Sequence, residues 1–321
     1  MRAVVFTGAG GNEVVQLEER ADPEPDGHEV LLEVRYAGLN PADLAQRAGR
    51  YPAPPGSPPD VPGIETAGTV LATGAGVSGL QPGDRVFGLV GGGGLADRVL
   101  AHERHVVRVP DEIGERDAAA VPEAFVTAHD ALVQGGLRMG GLVVVNGANG
   151  GVGTAAVQIA AAAGARVLAV VRQEPLRGHV AALGAEALAP DVAVEEAKAR
   201  GGANLVLELV GASNLDGDLR SLAAKGHIVV VGTGAGAKAD LDLRVLMGKR
   251  ATITGTVLRA RTLEEKAAAV QAFGREVVPH LATGRIRPLV DAVFPAEDAA
   301  AAFDRLEASG KLGKVLLDFG I

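Results

Sequence analysis

The chain has 321 residues, 47% hydrophobic and 22% charged, with a net charge of −8 and no cysteine. That composition provides apolar material for about two folded domains and argues against disorder. An acidic balance without a basic cluster makes nucleic acid or an anionic membrane surface a poor partner, and zero cysteine excludes disulfides and thiolate zinc sites. No apolar run approaches the about 20 residues of a spanning helix. The opening Met-Arg-Ala-Val-Val-Phe reads as a first strand rather than a signal-peptide core, so the cytoplasm is the default expectation. Short β-like runs follow, separated by turn residues: Ala3–Phe6, Val30–Val34, Thr66–Ala72, Arg85–Leu89 and Val106–Val109. Between them, the proline-rich stretch from Tyr51 to Pro62 can form only an extended loop, and Gly91–Gly94 reads as a flexible corner. From Pro122 the texture changes to alternating helix and strand. Strands are predicted near 142–147, 166–171, 204–210, 227–232 and 251–255, and helices near 150–163, 175–183, 193–200, 214–223 and 243–248. Near-continuous apolar strands such as Ile228–Val231 suit a parallel sheet covered on both faces, and hence a doubly wound α/β nucleotide-binding domain. Thr262 and Glu265 have capping-box spacing and open a helix predicted to run to about Leu281. A further helix at about 296–308 and a strand from Lys314 to Phe319 have no place in that sheet and return to the first domain.

The densest chemical signal is the turn after the first strand of the second domain. The run Leu142–Val145 breaks at Asn146 into Gly147, Asn149, Gly150, Gly151, Val152 and Gly153, and an Ala-rich helix follows. Glycine lets a backbone turn tightly, approach a pyrophosphate and still pack its helix on the strand. The helix N-terminus then presents free N–H groups and partial positive charge to the phosphates. Ala148 stands where a first glycine is usual, so the pattern is A-x-G-x-x-G in the strand–turn–helix context that a dinucleotide site requires. About 20 residues beyond such a turn, an acid normally binds the ribose hydroxyls of NAD. Here Arg172 ends the second strand, with Arg177 nearby and Glu174 the only close acid. A guanidinium fork matches a phosphate better than a hydroxyl pair, so NADPH is favoured over NADH.

Several further segments carry a resemblance over essentially the full length. They are Ala37–Asp43 with Arg47 and Gly49, Tyr51–Pro55, Gly63–Gly68, Gly83–Val86, Ala120–Phe125, the glycine turn, and Leu258–Glu265. In order and spacing they resemble the zinc-independent quinone oxidoreductases of the medium-chain dehydrogenase/reductase family, most of all the tumour-suppressor-inducible subgroup. The resemblance implies a β-rich GroES-like catalytic domain at 1–122 and 260–321 and an NADPH-binding Rossmann domain at 123–259. It also implies a homodimer formed by edge pairing of the nucleotide sheets. Cofactor contacts then fall at Asn40, Thr127, the glycine turn, Arg172, Gly211, Gly232, Thr233, Gly234, Leu258 and Lys314, and catalysis at Asn40 and Tyr51. Asp43, a short acid, reads as a loop holder rather than a proton donor. The chain departs from the subgroup where Pro175 and Leu176 replace an expected lysine and Asp191 lies near an expected tyrosine, which leaves Arg172 most of the 2′-phosphate recognition.

Zinc is tested by the donors themselves. Asn40 and Ile64 stand in the regions where alcohol dehydrogenases carry a ligand cysteine and histidine, and of seven histidines only His102 and His105 lie close together. Two ligands make no catalytic site. Without a Lewis acid, an electron-poor acceptor is easier to reduce than an alcohol is to oxidise. The chemistry expected is hydride transfer from NADPH to a quinone or enone in the interdomain cleft, with Asn40 and Tyr51 orienting the acceptor oxygen. A 2-alkenal or enoyl reductase remains open, as does an NADPH-binding sensor or structural protein with little turnover; a flavoprotein is disfavoured by the late position of the glycine turn.

Overall fold

The computed structural model describes residues 1–321. Its contacts divide the chain into two units: residues 1–126, 258–284 and 288–321, and residues 127–257 with 285–287. The first unit begins with β1 (Arg2–Phe6), β2 (Val15–Glu19), β3 (Glu29–Glu33), β4 (Tyr36–Gly38) and helix α1 (Pro41–Arg47). It continues through β5 (Glu65–Thr73), β6 (Arg85–Leu89), β7 (Arg98–His102), β8 (Val106–Arg108) and α2 (Glu115–Ala118). Helix α3 (Pro122–Gln134) carries the boundary between the units.

The second unit alternates β9 (Leu142–Asn146), α4 (Gly151–Ala162), β10 (Arg166–Val170), α5 (Glu174–Ala181), β11 (Glu186–Leu188) and α6 (Pro190–Ala199). Then come β12 (Ala203–Glu208), α7 (Leu215–Ser221), β13 (Leu222–Val230), α8 (Leu243–Lys249) and β14 (Thr252–Gly255). The chain returns to the first unit with α9 (Leu263–Glu276), α10 (Val278–Ala282), β15 (Val290–Pro295), α11 (Ala299–Glu307) and β16 (Lys314–Asp318).

In the second unit the six strands are parallel, in the order β11-β10-β9-β12-β13-β14. This is the doubly wound order, whose direction reverses beside the first strand, between β9 and β12. All five residues of β9 are buried, as covered strands require. Leu142, Val144, Leu168, Val206, Leu219 and Ile228 form the core of one side. The first unit holds a five-stranded antiparallel sheet, β7-β3-β5-β6-β8, a three-stranded sheet, β15-β16-β4, and the β1–β2 pair. Its core gathers Phe6, Leu32, Leu39, Phe303, Leu317 and Phe319, so the C-terminal tail packs with the N-terminal strands.

Five strands escape the sequence pattern: β2, β4, β7, β11 and β15. Of these, β4 and β11 have three residues each, and β11 joins only β10, too short a run to show alternation. The helix predicted to reach Leu281 breaks at Val277, because Pro279 has no N–H to continue the ladder. The helix predicted over 214–223 ends at Ser221, and Leu222 and Ala223 belong to β13. Residues 285–287 join the second unit rather than the first, since Gln158 on α4 bonds both the N–H and the carbonyl of Arg287, each at 2.9 Å.

Phe303 is fully buried, with the Phe6 ring centroid 5.7 Å away and the Arg47 guanidinium 5.4 Å from its own. Phe303→Ala removes the ring from both and leaves a cavity. We expect a loss of about 3–5 kcal/mol in urea unfolding of the first unit.

Candidate functional site

In the second unit, the turn between β9 and α4 is shaped by a close approach. A Cβ on Gly153 would stand 2.4 Å from the Gly147 carbonyl oxygen, so glycine is required for α4 to pack back on its own strand. Gly150 differs: a Cβ there would meet only the Gly147 carbonyl, at 3.6 Å, so no protein atom demands glycine. Gly150 sits at the N-cap of α4 with no side-chain cap, and the first-turn N–H groups of a helix have no carbonyl partner within it. Asn146 and Val170 are paired across β9 and β10, so the glycine turn and Arg172 leave neighbouring strands side by side. Arg172 is exposed. Arg177 instead folds back, its Nε donating to the Val171 carbonyl at 3.0 Å. Beside Arg172, Gln173 has a buried Oε1 without a hydrogen-bond partner.

Beneath that edge lies a buried polar cluster that no motif announced. The Asn146 amide donates to Glu208 Oε2 at 2.5 Å and to Asp218 Oδ1 at 2.7 Å. Glu208 Oε1 accepts the N–H groups of Val210 and Gly211, the latter at 2.6 Å. Glu208 therefore shapes the turn after β12, where Gly211 has φ +131°. Burial, and then the Glu208 carboxylate, push the Asp218 carboxyl far above the usual range, so Asp218 keeps its proton at neutral pH. The signal was present in the sequence as a polar residue closing an apolar strand, in Asn146 and again in Glu208. Gly232 is held against Leu209, whose carbonyl oxygen a Cβ would meet at 2.2 Å, while Thr233 and Gly234 are exposed. Asn149 is half-buried, as are Gly151 and Val152; Thr127 is buried.

In the first unit, Lys314 on β16 is 5% exposed and Glu65 on β5 is 1% exposed. The Lys314 ammonium donates to Glu65 Oε1 at 2.5 Å, Asn40 Oδ1 at 2.6 Å and the Leu39 carbonyl at 2.8 Å, so all three of its N–H groups are engaged. Asn40 Nδ2 donates to the same Glu65 oxygen at 2.7 Å, and Glu65 Oε2 accepts the Glu123 N–H at 2.8 Å. The opposite charges of Lys314 and Glu65 thus orient the Asn40 amide. Asn40 and Lys314, both expected at the ligand, also have their polar atoms bonded to each other and to Glu65. Asp43 accepts the N–H groups of Asn40 at 2.8 Å and Gly63 at 3.0 Å, joining the start of α1 to the loop before β5. Its burial raises the carboxyl to about 6 despite those two donors. Asp43 is a loop holder, as its short side chain suggested.

Tyr51 is half-buried, and burial raises its phenol above the ordinary range against the pull of Arg259. Leu258 is buried in the same unit. The corner at Gly91–Gly94 is pinned rather than free, its amides at Gly93 and Gly94 donating to Val61 and Gly63 carbonyls. No three His, Asp or Glu side chains come together in a way that could hold a metal ion, and no helix is long and apolar enough to cross a membrane.

Residues 26–111 match the alcohol dehydrogenase GroES-like domain, and residues 151–274 match the zinc-binding dehydrogenase domain. The chain is 34% identical to a quinone oxidoreductase of Lama guanicoe, covering 99% of this chain and 97% of the relative. It is 30% identical to an acryloyl-coenzyme A reductase of Metallosphaera sedula over 99% of each. Among solved structures it is similar to a mycobacterial protein complexed with NADPH, with a TM-score of 0.88 and 26% identity, covering 99% of this chain and 100% of that one.

The buried acid cluster separates two substitutions. Asp218→Asn keeps a neutral group where the carboxyl is already protonated, and its stability should stay near that of the parent. Glu208→Gln sets an amide N–H against donors from either Asn146 or the Val210–Gly211 turn. It should cost about 1–3 kcal/mol at neutral pH, read by thermal unfolding of the two variants side by side.

Proposed function

The chain belongs to the medium-chain dehydrogenase/reductase family, and on that premise we propose that it is a zinc-independent, NADPH-dependent reductase of quinones. The observation that carries the cofactor half is the pairing of an open helix N-terminus at Gly150 with the exposed guanidinium of Arg172 at the adjoining strand end. A pyrophosphate suits the first and a 2′-phosphate the second. The space beside Gly150 supports the fit of the first.

The family model's zinc does not fit these residues. There is no cysteine and Ile64 has no donor atom, while Glu65 and Asn40 are bound to an internal ammonium. The hydride therefore goes to an acceptor that needs no Lewis acid. Reduced nicotinamide, when bound, supplies the hydride. The chain's own residues do the rest. Amides at the head of α4 would hold the phosphates, and Glu208 sets the Val210–Gly211 turn. Asn40, locked by Lys314 and Glu65, holds the start of α1 in place. The acceptor takes two electrons with the hydride and its oxygen becomes an oxyanion. The Tyr51 O–H bond breaks as the acceptor O–H bond forms, and the resulting phenolate recovers its proton from water.

A second reading is favoured by the likeness to acryloyl-coenzyme A reductase: an activated alkene accepts the hydride, and the proton goes to carbon. A steady-state panel of an ortho-quinone, a para-quinone, an enone and acryloyl-coenzyme A decides between them. The quinone reading expects the quinones to be reduced fastest, and preference for the thioester overturns it. NADPH binding without oxidation by any acceptor points instead to a sensor or structural protein.

Two substitutions test the residue roles. Arg172→Ala should weaken NADPH about 10- to 100-fold, from one charge-assisted contact, and leave NADH nearly unchanged in fluorescence titrations. Equal losses for both would remove Arg172 from the site. Tyr51→Phe should lower kcat for the quinone about 100-fold with little change in NADPH affinity.

A further inference from the structure

Arg259, just beyond the second unit and before α9, is 6% exposed, and so is Lys266 on α9. Neither has a carboxylate within ion-pair distance. Arg259 donates to three neutral acceptors on three separate segments: Nε to the Gly91 carbonyl at 2.7 Å, Nη1 to the Tyr51 carbonyl at 3.2 Å, and Nη2 to Gln46 Oε1 at 2.6 Å. Its guanidinium also lies 5.1 Å from the centroid of the Tyr51 ring, within cation–π range. Lys266 Nζ donates to the Arg259 carbonyl at 3.2 Å, so a second buried cation stands against the first.

Burying a charge without a counter-ion is costly, and folded chains normally pair it or neutralise it. A neutral side chain could clasp the three segments without that cost. What only a cation supplies is a positive field, and the ring placed against this one belongs to the proposed proton donor. We propose that Arg259, backed by Lys266, is the positioning residue of the acceptor site: it fixes the Tyr51 ring by its carbonyl and its face, and its uncompensated charge favours release of the phenolic proton to the acceptor oxygen. The charged groups acting on this pair are Glu123, which opposes Arg259 at Tyr51, and Asp43, which with Glu123 favours the charged guanidinium. Burial and Arg259 both disfavour charge on Lys266, while Glu123 favours it. Phenolate formed during turnover would be the missing counter-ion, present only while the acceptor holds the proton. The phenol O–H breaks and the acceptor O–H forms, as above, with no further reactant.

This inference rests on the proton-donor reading of Tyr51, but its test does not. The chain has only two tyrosines and no tryptophan, so biosynthetic 3-fluorotyrosine in a Tyr36→Phe background leaves a single fluorine resonance, on Tyr51, whose shift follows phenol ionisation. Arg259→Gln should raise the titration midpoint by about one pH unit, the scale for losing one nearby opposite charge, and Arg259→Lys should restore part of it. In enzyme with ordinary tyrosine, kcat for the quinone should fall about tenfold in Arg259→Gln with the KM for NADPH unchanged. If Arg259→Gln fails to fold, Lys266→Met carries the test, with a smaller rise in the same direction. An unmoved midpoint in the folded variants makes Arg259 a clasp for three segments and overturns the proposal. A moved midpoint in a protein that reduces no quinone leaves the Arg259–Tyr51 coupling standing and removes the function proposed above.

Discussion

The buried ammonium of Lys314 is the contact on which the first unit depends. It lies near the end of the chain, yet its three bonds reach Leu39, Asn40 and Glu65, more than two hundred residues earlier. The chain leaves this unit to build an entire parallel sheet and must then come back. Apolar packing of Phe303, Leu317 and Phe319 among the N-terminal strands drives that return, but apolar packing alone has little directional content. Three short hydrogen bonds from one buried cation impose a single register of β16 against β4, and with it the orientation of the Asn40 amide.

The two units solve the problem of buried polarity differently. In the second, carboxylates and amides close apolar strands, and their charges are absorbed by backbone N–H groups and by a retained proton on Asp218. That arrangement satisfies the buried charge within the cluster itself. In the first, Lys314 and Glu65 cancel one another while Arg259 and Lys266 have no ion-pair partner. A buried guanidinium without an ion-pair partner beside a phenol is chemically useful where a neutral acceptor becomes anionic, because the field is already oriented before the charge appears.

How much of this was legible depends on the range of the interaction. The alternation of strand and helix, the glycine turn with Gly150 and Gly153, and Arg172 at a strand end follow from runs of fewer than about ten residues each, where period and turn chemistry act locally. Asp43 was legible for the same reason, since one of its partners lies three residues away. Short strands such as β11 were not, because three residues carry no periodicity and are strands only by virtue of a neighbour. The break at Val277 could have been read from Pro279, but helical spacing on both sides concealed it.

The amino-acid order alone determined the alternation of helix and strand, the place of the glycine turn, and the lack of cysteine ligands, since each is a property of residue type at close spacing. It also placed Arg259 inside a recognisable segment without revealing what that residue touches. Only the tertiary structure decided that Asn40 and Lys314 bind one another and share Glu65, that Glu208 and Asp218 meet beneath the glycine turn, and that Arg259 lies under Tyr51. Each of these joins residues from ten to more than two hundred positions apart, and which side chains satisfy a buried charge is settled by the packing that excludes water from it.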